Sequence, residues 1–424
     1  MIDISLLREK FDEIVKKISR RKKIYPGLND FLSLDTSKRK ILTEIQNLNE
    51  KRNKKTIEIN TYLKKKDNNS VEQLKKEVLE FKKKIDTLTE ENEELENKLN
   101  KILSSIPNIP DDSIPDGDDE ESNVEIRKWG QPTNFNFDPL PHWELASKLK
   151  LADFERAVKL SGSRHTILTG NGARLMRALR DFTIDLHSKD NYIEIQPPVL
   201  INQETLYGTG HLPKSKDDMF ELKNGQFLSP TEEIPLTGMY RNETFNYDTL
   251  PIKLTSSTIS FRSEAGAAGK DVRGFIRQHQ FYNTEMVIFD KPETSMDTLE
   301  KMTSQCEKVL KLLELPYRVI VLCAGDMGSC AVKTYDVEVW FPCNKKYREI
   351  SSCSNCRDYQ ARGLAIKYLN TKTKKKDYVH TLNGTGTSLN RLWIAIIENY
   401  QQKDGTILIP KVLRKYFNDE EYIK

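Results

Sequence analysis

Between Pro26 and Pro107 the chain contains no proline, and between Gly27 and Gly117 no glycine. A span this long without helix breakers favours long helices. Val71, Leu74, Val78, Phe81, Ile85, Leu88, Asn92, Leu95, Leu99 and Ile102 follow one another in alternating steps of three and four. That is a heptad seam with one polar position, at Asn92. In the first half of the span Ile41, Ile45, Leu48, Ile59 and Tyr62 keep the same phase, and Arg52 and Lys55 interrupt it. Between the halves lies Lys64-Lys65-Lys66-Asp67-Asn68-Asn69, polar and turn-prone. Ser70, with Gln73 three residues on, reads as a capping box that opens the second helix. The pattern predicts an antiparallel hairpin over about residues 35–105. At ~1.5 Å rise per residue, an arm of about 30 residues extends ~45 Å. Each helix has one narrow apolar stripe, so the hairpin should project. Heptads more commonly serve dimerisation, but the short polar turn favours pairing within one chain.

The hairpin also accounts for the composition. Charged residues make up 31% of the 424 and hydrophobic residues 37%, as expected if part of the chain carries charge without contributing to a core. The net charge of +4 is the small difference between 67 basic and 63 acidic residues. Local charge therefore says more about partners than the total does. Met1-Ile2-Asp3-Ile4 offers no cationic start followed by an apolar run, and no apolar stretch reaches membrane-spanning length. A cytoplasmic protein with no membrane partner is expected. All six cysteines lie in the C-terminal third. Cys353 and Cys356 form a C-x-x-C pair with no second pair at finger spacing, which favours reduced thiols near a strand end over a metal site.

Pro107, Pro110 and Pro115, with the acidic run Asp116-Gly117-Asp118-Asp119-Glu120-Glu121, read as a linker over about 107–125. Two domains follow from this: 1–106 and 107–424. In the second, strand-like runs (Tyr192 to Ile195, Val319 to Leu322, Val337 to Phe341) alternate with helical segments (Ala173 to His187, Thr294 to Leu313), an α+β pattern. Neither G-x-G-x-x-G after a strand nor G-x-x-x-x-G-K-[ST] occurs, so a nucleotide would be held without a Rossmann or P-loop cradle.

One stretch suits a nucleotide by its chemistry. Phe261-Arg262-Ser263-Glu264 leads into the small-residue loop Ala265-Gly266-Ala267-Ala268-Gly269-Lys270. Arg273, Arg277, His279-Gln280-Phe281 and Glu285 follow. Arginine forks match phosphate and carboxylate oxygens. An aromatic ring can stack on a base, and a carboxylate can accept from an exocyclic amine. Any one of these residues alone would fit a surface strand pair with salt bridges better.

The stretch resembles motif 2 of the class II aminoacyl-tRNA synthetases, in the form found in seryl-tRNA synthetases. Tyr192 to Leu200, with Pro198, resembles motif 1, the dimer-forming strand. Asn383-Gly384-Thr385-Gly386 with Arg391, then Ala395 to Gln401, resembles motif 3. Thr231-Glu232-Glu233, Lys333-Thr334-Tyr335-Asp336 and Glu349 to Asn355 resemble stretches particular to the seryl enzymes, and the hairpin resembles their tRNA-binding arm. The resemblance covers nearly the whole chain. It implies an antiparallel sheet flanked by helices with a helical arm, a homodimer, ATP as substrate with Mg2+, and L-serine and tRNA(Ser) as partners. Whether tRNA(Sec) is also charged is left open.

Carried over position by position, the resemblance gives Arg262 the ATP α-phosphate and the substrate carboxyl oxygen. Glu264 would take the adenine amino group, with Phe281 stacked on the base. Arg391 would cover the base's other face or hold the γ-phosphate, and Arg277 would bind the terminal phosphates. Ser263, Ile350 and Ser351 belong to the same ATP-binding segments. Glu349 and Ser352 would hold magnesium. Thr231, Glu232, Glu233, Glu285 and Thr385 would surround serine, with Glu285 and Thr385 nearest its amino and hydroxyl groups. Arg262 and Arg391 would be the catalytic pair, because the chemistry implied needs no side-chain nucleophile. Lys64, Lys65, Lys66, Lys75, Lys76, Lys82, Lys83 and Lys84 would meet RNA phosphates along the arm. Some positions depart from the family pattern: His211 stands where glutamine is usual, Gly363 where a second arginine is common, and Thr385 where serine is frequent. Thr387-Ser388 is more polar than usual. None removes a catalytic group. An aminoacylation-deficient paralogue, a carrier-protein ligase and a coiled-coil scaffold are the competing readings. The motif arginines and the arm argue against all three.

Overall fold

The computed structural model describes residues 1–265, 274–371 and 373–424. The small-residue loop from Gly266 and Arg273 therefore lie outside the described residues. The chain forms two compact units, Ile24–Ile106 and Met1–Lys23 with Pro107–Lys424. Proline marks both boundaries, Pro107 at one and Pro26 with Gly27 close to the other. The first 23 residues belong to the larger unit because Arg21 is buried there, its Nε donating to the Asn108 carbonyl (2.9 Å) and Nη1 to that of Gly328 (3.1 Å).

The smaller unit is the expected hairpin. Helices α1 (Ile4–Glu9) and α2 (Phe11–Ser19) precede it in the chain; α3 (Phe31–Lys64) and α4 (Asn68–Ser105) form it. Leu48, Ile85 and Leu88 are buried between α3 and α4, with Ile41, Ile45 and Phe81 against them. The two polar interruptions stay on the inner face. Arg52 and Lys55 are half-buried, and Lys55 Nζ reaches Glu77 of α4 at 3.3 Å. Their long stems cover apolar surface while the charge finds a partner at the rim. The cap of α4 differs from the sequence reading. Asp67, not Ser70, is the N-cap, and its carboxylate accepts from Ser70 N (3.1 Å) and Ser70 Oγ (2.7 Å). A carboxylate satisfies the free amides and also opposes the positive helix end, so the helix starts a turn earlier.

The larger unit is built on an eight-stranded sheet. Its strands are β1 (Val124–Trp129), β2 (Ile193–Glu194), β3 (Ile252–Phe261), β4 (Gln280–Asp290), β5 (Tyr317–Val321), β6 (Lys333–Phe341), β7 (Lys346–Arg357) and β8 (His380–Ser388). The order is β1-β5-β6-β7-β8-β4-β3-β2, antiparallel except for β2 beside β3. Helices α5 (Gly170–Lys189), α6 (Ser295–Leu312) and α7 (Leu389–Asn399) pack against the sheet and carry much of the core. Trp393 of α7 is fully buried and donates to the Gly172 carbonyl at 3.0 Å, locking α7 onto α5. The stretch 107–125 is not a loose tether. Asn108 N donates to Ser329 O (2.8 Å), Asp111 N to Val332 O (2.9 Å), and Ile114 is buried. Its prolines stiffen a segment that lies along the core instead of spacing two bodies.

Two local irregularities aim the functional side chains. On β7 the register slips so that Val337 faces Ser351 while Glu338 faces Glu349, leaving Ile350 as an extra residue. Such a bulge shifts the alternation of faces by one. Glu349 and Ser352, three apart, can then share a face that a regular strand would deny them. On β8 a second slip falls between Thr385 and Thr387. A Cβ at Gly386 would stand 2.6 Å from His187 Nε2, so only glycine fits there. A Cβ at Gly384 would meet Met302 Sδ at 2.8 Å. The glycines of Asn383-Gly384-Thr385-Gly386 thus let α5 and α6 press against the strand.

Candidate active site

The hairpin of β3 and β4 sets one wall. Arg262 follows β3; its amide donates to His279 O at 3.0 Å, its Nε to Pro230 O at 3.2 Å, and its guanidinium lies 5.2 Å from the Phe281 ring centre. Arg262 and Phe281 thus form one platform, and His279 Nδ1 steadies it through the Arg262 carbonyl at 2.9 Å. Glu264 sits at φ +54°, a left-handed conformation uncommon for any residue but glycine, and its carboxylate meets Arg277 Nη1 at 3.0 Å. Across the cleft, Arg391 at the start of α7 reaches Glu349 at 3.1 Å. Glu349 stays 47% exposed. Desolvation works against its charged form, but Arg391 first, then Arg262 and Arg277, hold its carboxyl below the usual range. A cavity of about 110 Å³ is lined by Arg262, Glu264, Arg277, Phe281, Glu349, Ile350, Thr385 and Arg391, among others. A larger one, about 520 Å³, shares Arg277, Glu349 and Arg391 with it.

The other end is small and acidic. Glu285 of β4 and Thr385 of β8 are direct cross-strand partners. Glu285 is buried, with one carboxylate oxygen lacking a hydrogen-bond partner in the protein. Burial, reinforced by Glu232 and Glu233, pushes its carboxyl well above the usual range. Thr231 Oγ1 accepts from Glu233 N at 3.2 Å. Glu233 Oε1 accepts from Gln360 at 2.6 Å, and Oε2 lies 3.7 Å from His211 Nε2. Burial lowers the His211 pKa against the opposing pull of Glu233.

Three residues assigned from the sequence point elsewhere. Glu232 is buried beneath the loop, accepting from Thr258 Oγ1 (3.0 Å) and Ser260 Oγ (3.1 Å) of β3, and burial pushes its pKa up to about 7. Its side chain anchors the loop to the sheet. Ser351 Oγ donates to the Gly386 carbonyl at 3.2 Å, and Ser263 Oγ to that of Asp217 at 2.7 Å. Ser263 and Ser351 are thereby left to meet a ligand through backbone groups.

Comparison with known proteins agrees with this arrangement. Residues 219–400 match the class II core domain model of the G, H, P, S and T synthetases, and residues 1–110 match the seryl-tRNA synthetase N-terminal domain. A serine–tRNA ligase of Malacoplasma penetrans is 49% identical over 98% of both chains, and one of Acetivibrio thermocellus 46% over 100% of both. The crystal structure of seryl-tRNA synthetase from Pyrococcus horikoshii complexed with ATP superposes with a TM-score of 0.92 at 36% identity, covering 100% of this chain and 99% of that one. The chain belongs to the seryl-tRNA synthetase family. It is a class II aminoacyl-tRNA ligase, with serine as amino acid, ATP as the activating substrate and tRNA as acceptor.

Three further residues lie beside the site; only Asp336 falls in a stretch the sequence had marked, Lys333-Thr334-Tyr335-Asp336, and it had been given no role there. Asp336 of β6 faces Ser352 across the strands and has an unpartnered buried oxygen. Burial, with Glu349 adding to it, raises its pKa well above the usual range. Asn390 Oδ1 accepts from Tyr282 N at 3.0 Å and so ties α7 to β4. Gln360 was missed entirely. Cross-strand register places Asp336, and the packing of two helices against the sheet places Asn390 and Gln360; neither is visible in one sequence. Cys353 and Cys356 lie on β7, both buried; Cys353 Sγ is 3.4 Å from Cys306 Sγ. Gly363 lies against the Gly208 backbone, where a Cβ would stand 2.1 Å from the Gly208 carbonyl oxygen, so glycine there has a packing reason.

Proposed function

We propose that Arg262 and Arg391 are the catalytic pair that turns bound serine and ATP into seryl-adenylate and pyrophosphate. The observation that carries the reading is that Thr385, which lines the cavity of Arg262, Glu264, Phe281 and Arg391, is the cross-strand partner of buried Glu285. An arginine–aromatic platform and two arginine–carboxylate pairs stand on one side of Thr385, with a cluster of carboxylates and hydroxyls on the other.

Adenine would stack on Phe281, with Arg391 over its other face or at the γ-phosphate and Glu264 accepting from its amino group. Triphosphate oxygens would take over Arg277 and Arg391 from Glu264 and Glu349, freeing each carboxylate for its ligand. The serine ammonium would enter among Thr231, Glu233 and Glu285, and its hydroxyl would meet Thr385. The serine carboxylate then attacks the α-phosphate in line. Arg262 touches both reacting groups and stabilises the charge that spreads as the bond to pyrophosphate breaks. The larger adjoining cavity gives the leaving group room. A pocket that hydrogen-bonds a hydroxyl can reject the analogue lacking it by ~10⁴-fold, so alanine is excluded strongly and threonine only by size.

Magnesium fits the donor set. Glu349 and Ser352 present hard oxygens, and the unpartnered oxygen of Asp336 lies beside them. Among the described residues no cluster of three or more His, Cys, Asp or Glu side chains could hold a metal ion. That suits an ion that keeps waters and arrives with nucleotide phosphates. When bound it would polarise the α-phosphate; Glu349 and Ser352 would fix its place.

The hairpin lysines would carry tRNA(Ser) phosphates, tRNA(Sec) remaining a second candidate. Edge strand β2, with Ile193 56% exposed and Leu200 45% exposed nearby, would pair in a homodimer, because unpaired strand edges are liabilities that proteins cover. No helix among the described residues is long and apolar enough to cross a membrane, which accords with a cytoplasmic location. The test is serine-dependent ATP–pyrophosphate exchange followed by tRNA charging. No exchange by a folded preparation sinks the reading, and exchange without charging points to a paralogue.

A further inference from the structure

We infer that Gln360 is a positioning residue for serine recognition, aiming the Glu233 carboxylate from behind. The inference deepens the serine-pocket reading and rests on it. Gln360 opens a short helix, Tyr359–Leu364, that is remote in sequence from both motif 3 and the Thr231-Glu232-Glu233 loop. Its side chain is fully buried. Thr381 Oγ1 on β8 donates to Gln360 Oε1 at 2.7 Å. The partners on the other side, a carboxylate and a carbonyl, can only accept, so the amino end of the amide faces the loop. The amino end donates to Glu233 Oε1 at 2.6 Å and to the Thr209 carbonyl at 3.3 Å.

The chain Thr381–Gln360–Glu233 therefore links the strand that carries Thr385 to the loop that carries Thr231. It has a direction. Hydroxyl donates to amide and amide donates to carboxylate, and every polar group of Gln360 is used. Bonds to charged acceptors are short and strong, and a buried donor–acceptor chain is costly to break. On the other oxygen of Glu233, His211 stands 3.7 Å away and is itself held at Nδ1 by Thr209 Oγ1 at 3.0 Å. Glu233 is thus held at one oxygen by Gln360 and flanked at the other by His211. With Oε1 taken by Gln360, an ammonium group meets a carboxylate of settled orientation. A free carboxylate would lose rotamer entropy on binding and could turn toward Arg262.

Gln360→Glu keeps shape and volume but sets two carboxyl groups against each other where a donor stood. Hydrogen bonds to charged groups contribute about 1.5–3 kcal/mol, so the KM for serine in ATP–pyrophosphate exchange should rise about tenfold to a hundredfold, with the KM for ATP unchanged. An unchanged serine KM in the folded variant overturns the inference, as does an equal rise in both constants. Should Gln360→Glu fail to fold, Thr381→Val removes the anchoring hydroxyl without adding charge. A selective rise in serine KM that Thr381→Ser reverses supports the inference, and no rise, or a rise that Thr381→Ser does not reverse, overturns it. Glu233→Ala separates the two levels. If it leaves serine KM unchanged, the pocket reading itself is wrong. If it raises serine KM while Gln360→Glu does not, only the positioning inference fails.

Discussion

The hairpin and the sheet unit solve opposite problems. Along α3 and α4, only one narrow face is buried, and its partners repeat every three or four residues. Polar groups there keep water or pair at the rim, as Lys55 does with Glu77. In the sheet unit polar groups are buried on purpose. Glu232, Glu285, Gln360 and Asn390 are all within 2% of full burial, and Glu232, Gln360 and Asn390 are held by named partners from distant strands. A seam can be lengthened, shortened or spotted with charge at small cost. A buried polar cluster fails if one partner is lost, because an unsatisfied group inside the protein costs about 1–3 kcal/mol. Binding a long polyanion asks for reach and charge; discriminating a hydroxyl and holding a triphosphate asks for fixed donors.

The sharpest way to break this division is to remove one region. Replacing residues 35–105 with a short flexible linker should leave serine-dependent ATP–pyrophosphate exchange at its wild-type rate and abolish tRNA charging; parallel loss of both would contradict it. Next in size, Arg262→Ala should lower the exchange kcat by about a hundredfold to a thousandfold, the cost of one fixed donor at a developing charge. Circular dichroism of its helices should stay unchanged. A loss below tenfold would move the catalytic centre elsewhere.

A third contrast is in pH response. Burial raises the folded-state pKa of Glu232 from 4.5 to about 7. The folded chain therefore holds this proton where the unfolded chain has released it. Its contribution to stability is complete below about 4.5 and is lost as pH rises through about 7. Glu232→Gln removes that loss. The variant's stability relative to wild type should increase from pH 5 to pH 8, by an amount on the order of 2–3 kcal/mol. A difference in unfolding midpoint that does not vary with pH would show that Glu232 does not titrate in this way. The smallest effect belongs to the hairpin. Asp67→Ala should cost about 1 kcal/mol of local stability at the start of α4, seen as faster amide exchange at residues 68–71 with exchange activity intact.

How much could be read in advance differs by region for a physical reason. The seam from Val71 to Ile102 depends on neighbours three and four residues away, so a single sequence displays it. That the first 23 residues belong to the larger unit depends on Arg21 finding carbonyls some 300 residues later, which nothing local signals. Within the site, Arg262, Glu264, Phe281, Glu349 and Arg391 were legible because they cluster in recognisable stretches. Glu232 and Ser351 carry the right letters but point away: Thr258 and Ser260 hold Glu232 beneath its loop, and alternation along β7 with the bulge at Ile350 decides which face Ser351 meets. Asp336 stood in a marked stretch but its place beside Ser352 was not legible, and Gln360 carries no pattern of its own.

By itself, then, the sequence determined the helical hairpin, the α+β class of the rest and the order of the three motifs, because these rest on periodicity and short-range spacing. Only the tertiary structure decided which carboxylates face a ligand and which anchor a loop. It also decided that the proline-rich stretch lies along the core and that Gln360 stands behind Glu233. Those outcomes depend on strand register and burial, which arise from contacts between segments that no local pattern connects.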